Sequence, residues 1–353
     1  MSDYNDILGP LLRRKKPGYK EIAEIIQQND SGFRGYLYAK ARLLREKIFG
    51  NRVLFRGIVE FSNICRGTCR YCGLNRNSTG KSFYDMSDSE IVEAAGNVKK
   101  SGISTVVLQS GENPEADPDR LASVIKSIKK YYNIAVTLSA GEKTYEEYRL
   151  WRNAGADRYL LKMETADSEH YSMFHPGMNF HNRLRCLDDL KSIGYETGSG
   201  FIVGLPEETP EILAKGIVLM RKLELDMISI SPFTPCSGTD LAEHKEPDMG
   251  LFLSVLSLMR VSDPKAHMPA VSALASGPFD KRIDAVNAGA NVMMFKYTPA
   301  PYAGDYMIYN RNKHNIDSGK TAAGSAIEKL SEYHLTVDYG RGGSIKKKEA
   351  RLV

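Results

Sequence analysis

Two amphipathic stretches open the pattern. Tyr19, Ile22, Ile25 and Ile26 fall near helical spacing, and Leu37, Ala41, Leu44 and Ile48 do so again. Asp30, Ser31 and Gly32 mark the break between these two helices, which cover about 20–49. From residue 53 the periodicity alternates. Apolar runs at 53–62, 104–110, 134–140, 157–166, 196–206, 226–233, 268–274 and 291–299 predict eight strands. Helical stretches at 87–102, 119–132, 145–155, 180–194, 210–225, 250–261 and 279–289 separate them. Ser87 with Glu90 three residues on fits a capping box at the start of the first of these. Gly102, Gly155, Gly194 and Gly289 each stand where a helix must stop before a strand. That position favours a left-handed backbone, which is free of strain only without a Cβ.

Strand–helix alternation implies parallel strands joined by right-handed crossovers, and eight such units close into a barrel. The alternative is an open doubly wound sheet. No Gly-rich dinucleotide fingerprint follows the first strand, which favours the barrel. The expected fold class is α/β, a (β/α)8 TIM-type barrel with an N-terminal helical extension and a short C-terminal extension. The expected limits are 1–50 for the helical extension, 51–310 for the barrel, and 311–353 for a C-terminal helix and basic tail that closes it.

Composition narrows the setting. With 42% hydrophobic and 26% charged residues over 353 positions, the chain is of globular type. No apolar run reaches the roughly 20 residues that a bilayer crossing needs, and the start lacks the apolar core of a signal peptide. Five cysteines are too few, and odd in number, for a disulfide framework, so reduced thiols in the cytoplasm are expected. The net charge of +5 is spread out. Two basic clusters, RRKK at 13–16 and KKKEAR at 346–351, lack interleaved aromatics and read as solvated faces rather than a nucleic-acid site. No membrane contact is expected.

The chemistry lies where the first strand ends, in the run CRGTCRYCGL. Cys65, Cys69 and Cys72 form a C-x3-C-x2-C pattern, with Tyr71 inside the last pair and Gly73 after it. In a barrel the loop after a strand opens on the catalytic face. Three thiolates there can hold three irons of a [4Fe-4S] cluster and leave the fourth iron free for another ligand. A zinc site would need a fourth ligand, and the nearest histidines downstream are His170 and His175. Three structural thiols are the remaining alternative.

The run CRGTCRYCGL resembles the signature of the radical S-adenosylmethionine (radical SAM) enzymes. VEFSNICRGTCRYCGLNR, VVLQSGENP, VTLSAGE, ADRYLLKMETAD, NRLRCLDDLKSIGYETGSGFIVGLP, SPFTP and GANVMMFKYTPAPY resemble its HydE-like branch, which serves [FeFe]-hydrogenase maturation. These segments run from about residue 50 to 310, and the ending TVDYGRGGSIKKK is similar too. Methylornithine synthase and biotin synthase share the frame more distantly. The resemblance implies a [4Fe-4S] cluster on Cys65, Cys69 and Cys72, SAM chelated at the open iron, and reductive cleavage to a 5′-deoxyadenosyl radical acting on a small substrate. It also implies a one-electron donor such as ferredoxin or flavodoxin. For SAM it points to Tyr71, to Gln109, Ser110, Gly111 and Glu112 at the amino group, and to Ser139. Glu164 and Arg183 would orient SAM, with Arg183 at the carboxylate, and Leu205 in the turn from Gly204 to Pro206 would pack near adenine.

For the substrate the resemblance points to Thr137, Lys162, Ser272 and Tyr306. The chain departs from the branch here. Lys162-Met163-Glu164 stands where an Arg-His-Glu run is usual, and Val271-Ser272 where two threonines are usual. Arginine offers a rigid fork and lysine a mobile point charge, so the exchange changes how an anion is held. Met163 and Val271 are expected to dry the pocket. Residues 310–325 contain no cysteine, so the second cluster of many HydE proteins is not expected. Cys186 reads as core packing and Cys236 as packing or a substrate contact; neither restores the cysteine set used for sulfur insertion in biotin synthase. Two further readings are an amino-acid mutase of the methylornithine type and a non-catalytic iron–sulfur or nucleic-acid-binding protein.

Overall fold

The structure, a computed structural model, describes residues 2–12, 17–28, 30–79, 82–277, 279–310 and 319–350. Its centre is a ring of parallel strands: β1 (Arg52–Ser62), β2 (Thr105–Ser110), β3 (Ala135–Ser139), β4 (Arg158–Leu160), β5 (Glu196–Val203), β6 (Met227–Pro232), β7 (Pro269–Ala270) and β8 (Val292–Lys296). The pairing order is β6-β5-β4-β3-β2-β1-β8-β7, with every ladder parallel. The ring closes between β6 and β7 through a single bridge from Met227 to His267. There Ile228 N donates to His267 O at 2.9 Å, and His267 N donates to Asp226 O at 2.9 Å. This is the expected TIM-type barrel, held at one seam by two bonds.

Helices wrap the ring because their apolar faces have only the outer strand residues to cover. The helix Asp88–Lys100 starts as expected: Ser87 N donates to Glu90 Oε2 at 2.8 Å, and Glu90 N to Ser87 Oγ at 3.4 Å. The four helix-ending glycines all have positive φ, at 88°, 112°, 95° and 116° in chain order. The N-terminal helices Tyr19–Gln27 and Ser31–Phe49 flank the barrel, and Asp30 caps the second by accepting from Phe33 N at 2.8 Å.

Three features differ from the periodicity. β4 spans three residues rather than the ten expected, because the chain leaves the ladder and turns at Glu164, whose φ is 65°. A non-glycine residue rarely adopts that region, and here it follows a segment that rejoins β5 by a bridge between Glu164 and Phe201. β7 holds two residues; Pro269 has no N–H to offer, and a 3-10 turn, Ser272–Ala275, replaces the rest. A short ninth strand, β9 (Thr336–Asp338), pairs in parallel with the start of β1. Beyond it the tail crosses the amino end of the barrel. Arg158 Nη2 donates to Arg341 O at 2.6 Å, and Ser344 N to Glu196 Oε1 at 3.0 Å. Lys346 pairs with Asp263 at 2.6 Å, and Lys347 donates to the carbonyl of Gly194 at 3.1 Å. The basic run at 346–351 thus spends Lys346 and Lys347 on the barrel; the run at 13–16 lies outside the described residues.

Candidate active site

The loop after β1 folds onto itself. Cys72 N donates to Cys69 O at 3.1 Å, and Arg76 N to Gly67 O at 2.9 Å. A Cβ on Gly67 would lie 3.3 Å from Cys65 Sγ and 3.8 Å from Cys69 Sγ, so both thiols gather around that glycine. The continuation of β2 lies against this loop. Gly111 N donates to Ser62 O at 3.0 Å, Arg66 N donates to Glu112 O at 2.8 Å, and a Cβ on Gly111 would sit 2.3 Å from Ile64 O. Only glycine permits that approach.

Cys65, Cys69 and Cys72 line one cavity of about 290 Å³ at the carboxyl end of the strands. Tyr71, Gln109, Ser110, Gly111, Glu112, Ser139, Glu164 and Arg183 line it too, as do Lys162, Ser272 and Tyr306. A larger cavity of about 650 Å³ involves Tyr195, Asp226 and Asp263 and contains none of these residues. Catalytic groups of such barrels come from the carboxyl ends of the strands, so the smaller cavity is the candidate site.

Three expected residues lie elsewhere. Leu205 does not line the cavity; it packs with Phe174, Ile202, Phe233 and Leu241 in an apolar cluster against which Tyr71 rests. Thr137 lines a small void of about 30 Å³, whose wall shares Leu160, Ser229 and Met294 with the main cavity. Met163 is fully buried in the main core rather than drying the pocket: Lys162 and Glu164 on either side line the cavity, and Met163 between them packs into the core. Val271 does line the cavity.

The polar wall is a connected network. Arg183 Nε donates to Glu142 Oε1 at 2.7 Å, Nη1 to Lys162 O at 3.0 Å, and Nη2 to Glu112 Oε2 at 3.3 Å. Glu112 Oε2 also accepts from Glu142 N at 3.0 Å. A guanidinium has five N–H donors, so two remain for a ligand beyond these partners among the described residues. Burial works against the charge on Arg183, yet Glu112 and Glu142 help hold its pKa above the ordinary value. Glu112 is pushed up by burial, against the pull of Arg183. Lys162 Nζ sits 2.8 Å from Glu164 Oε2 and donates to Ser231 Oγ at 2.8 Å. Ser272 Oγ and Tyr309 O–H are 2.7 Å apart. Glu142, Ser231 and Tyr309 are site residues that the sequence did not single out. Glu142 follows Gly141 in VTLSAGE, and that adjacency was the available signal.

Three thiols of one loop lining one cavity suit the ligand chemistry of an iron–sulfur cube. One zinc ion at about 2.3 Å from each sulfur would draw its thiolates within roughly 4 Å of one another. Among the described residues no group of three His, Cys, Asp or Glu side chains stands in such an arrangement. His170 and His175 are spent elsewhere: His170 on Thr165 Oγ1 and Pro206 O, and His175 on Tyr71. Burial pushes the Cys69 thiol up to about 12 and Cys72 well above its usual value. A bound metal centre would offset that cost, since coordination deprotonates a thiol outright. Cys186 is fully buried in the core, and Cys236 Sγ would lie 2.5 Å from a Cβ on Gly73, so both serve packing.

A parallel eight-stranded barrel with three cysteines on the loop after its first strand defines a class. The Radical SAM superfamily description matches residues 59–215, and the chain belongs to that superfamily, whose enzymes use a [4Fe-4S] cluster and SAM. Within it, the chain is 41% identical over 298 residues to the [FeFe] hydrogenase maturase subunit HydE of Thermotoga maritima, covering 84% of this chain and 85% of that protein. It is 29% identical over 260 residues to 3-methylornithine synthase of Methanosarcina acetivorans, covering 73% of each. A crystal structure of methylornithine synthase superposes with a TM-score of 0.83 at 23% identity, over 94% of this chain and 97% of that one, which supports the fold. No helix among the described residues is long and apolar enough to cross a membrane.

Proposed function

We propose that the chain is a HydE-like enzyme of [FeFe]-hydrogenase cofactor maturation, acting on a small substrate inside the barrel. The observation that carries this is the 41% identity to HydE over most of both chains. Cys65, Cys69 and Cys72 would hold the cluster, and one electron from a ferredoxin- or flavodoxin-like donor would enter there. Cluster and SAM together supply a 5′-deoxyadenosyl radical when reduced, as in the family. The protein's part is to bind, orient and exclude water. Glu112 and the backbone of Gln109–Gly111 would receive the SAM ammonium, with the remaining donors of Arg183 on its carboxylate. Ser139, Glu164 and the ring of Tyr71 would fix the rest of SAM. Leu205 would act from behind that wall. A reduced cytoplasmic setting suits five free thiols.

For the substrate, Lys162, Ser272 and Tyr306 line the cavity, while Thr137 lines the small void beside it. An anionic group of the substrate would replace Glu164 or Ser231 as the partner of Lys162 Nζ. The same observation favours a second reading. A lysine already paired to Glu164, and Val271 in place of a hydroxyl, suit a different small acid, as an amino-acid mutase of the methylornithine type would take. Each substrate polar group left unpaired by these departures costs about 1–3 kcal/mol. A hydrogenase-maturation assay in which this chain replaces HydE tests the proposal. Active hydrogenase is expected, in higher yield with Lys162→Arg and Val271→Thr. No hydrogenase from either form, while SAM is still cleaved, would overturn it in favour of the mutase.

A further inference from the structure

His175 follows the short helix Ser168–Phe174 in the loop after β4, and its side chain is fully buried. Its ring stacks on Tyr171, with centroids 4.2 Å apart and planes at 17°, and meets Tyr71 edge-on at 5.5 Å and 78°. Nδ1 lies 3.0 Å from the carbonyl oxygen of Tyr171, and Nε2 lies 2.8 Å from the hydroxyl of Tyr71. A carbonyl only accepts, so Nδ1 must carry the proton. Burial, with Arg183 as a lesser cause, pulls His175 down to about 3, so the ring stays neutral at working pH. A neutral ring protonated at Nδ1 has a bare Nε2, which accepts. The row therefore has one direction: Tyr71 O–H donates to Nε2, and Nδ1–H donates to the Tyr171 carbonyl.

Tyr71 stands between Cys69 and Cys72, and its ring lines the candidate cavity. One side of it rests on the apolar cluster of Phe174, Ile202 and Phe233. That surface sets where the ring lies but offers nothing to the phenol. The hydroxyl of this half-buried ring turns towards the fully buried His175, and any other ring orientation would forfeit that bond. The imidazole is in turn held by the Tyr171 ring and carbonyl, both on the preceding turn of helix. The chain thus builds a stacked support behind one residue of the cysteine loop.

We propose that His175 is a positioning residue that sets the Tyr71 ring as a fixed wall of the SAM site before SAM arrives. This rests on reading the Cys65–Cys72 loop as the cluster loop and the adjoining cavity as the SAM site. Pre-ordering acts on affinity: a ring free to turn must be ordered when the ligand binds. It leaves the bond-breaking step alone, so the effect falls on SAM binding and KM rather than on kcat.

The test uses reconstituted holoenzyme and SAM as the probe. His175→Phe and Tyr71→Phe should each raise the SAM Kd by about tenfold at unchanged iron content, and the double variant should be no weaker than either single one, since both remove the same bond. His175→Gln, whose amide oxygen can accept from Tyr71, should recover most of the affinity. Additive losses, or an unchanged Kd in both single variants, would overturn the proposal. A second measurement needs neither cluster nor activity. In protein labelled with 15N-histidine, the His175 signals should show Nδ1 protonated and Nε2 bare from pH 5 to 8. Tyr71→Phe should shift Nε2 and leave Nδ1 in place. A His175 that titrates in this range, or ignores Tyr71→Phe, would also overturn it. Wild-type holoenzyme that fails to bind SAM would instead refute the site reading itself.

Discussion

Arg183→Ala removes the cation on which the polar wall of the site converges. The side chain of Arg183 is 8% exposed, and those of Glu142 and Glu112 are 14% and 24% exposed. Removing one partner of a buried pair typically costs about 3–5 kcal/mol, because the other charge is left without compensation. Glu112 sits at 3.3 Å and is the more exposed acid, so the lower end, about 3 kcal/mol, is expected here. The loss should depend on pH. Glu112 already has a raised pKa in the folded protein, chiefly from burial, and Arg183 is the main group holding it down. A carboxyl with a raised folded pKa contributes stability below its unfolded value and loses it as pH rises through the folded one. Without Arg183 the folded value climbs further, so the variant should be hurt more at pH 8 than at pH 5. Anaerobic urea denaturation of the cluster-free protein at both pH values reads this directly. SAM affinity of the reconstituted variant should also fall, by roughly 1.5–3 kcal/mol, the usual worth of a hydrogen bond to a charged group. A variant as stable as the parent at both pH values, or hurt more at pH 5, would refute the electrostatic account. An unchanged SAM affinity would remove Arg183 from the SAM site.

Other outcomes follow from the same geometry. Anaerobic reconstitution should give roughly four irons and four sulfides per chain; replacing Cys65, Cys69 and Cys72 together by serine should abolish them, while Cys186→Ala should keep them, and iron analysis and the visible spectrum decide. Gly141→Ala should weaken SAM binding in a titration while the fold survives, since φ is 77° there and a Cβ would lie 2.3 Å from Glu112 Cγ. Thr137→Val should leave stability unchanged or slightly raised in thermal denaturation, because the buried Oγ1 has no hydrogen-bond partner among the described residues. If the substrate reaches that hydroxyl, the same variant raises the substrate KM.

Much of the barrel was legible because parallel strands buried on both faces read as continuous apolar runs, and glycines mark the helix ends. The three cysteines were legible for a different reason: their ligand spacing is local, and one loop carries all of it. Strand lengths at β4 and β7 were not legible. Hydrophobicity continues through Leu161 and Met163, but the chain has already left the ladder for the positive-φ turn at Glu164. Met163 packs into the core between Lys162 and Glu164, so a residue adjacent to two cavity residues takes no part in the cavity. Glu142 itself and the role of His175 were hidden because they depend on partners about 41 and 104 positions away in sequence, Arg183 and Tyr71. A residue that acts through a distant partner leaves no periodic mark.

The central claim is that this barrel holds a reducible cluster and SAM in one cavity and makes them react. The direct measurement is anaerobic: reconstituted protein, dithionite as electron source, SAM added, and the products separated by chromatography. The account predicts 5′-deoxyadenosine and methionine in equal amounts, formed slowly without substrate and absent when Cys65, Cys69 and Cys72 are replaced. A reconstituted, reduced protein with about four irons per chain that binds SAM and leaves it intact, or a triple-cysteine variant that cleaves it as well as the parent, would contradict the account.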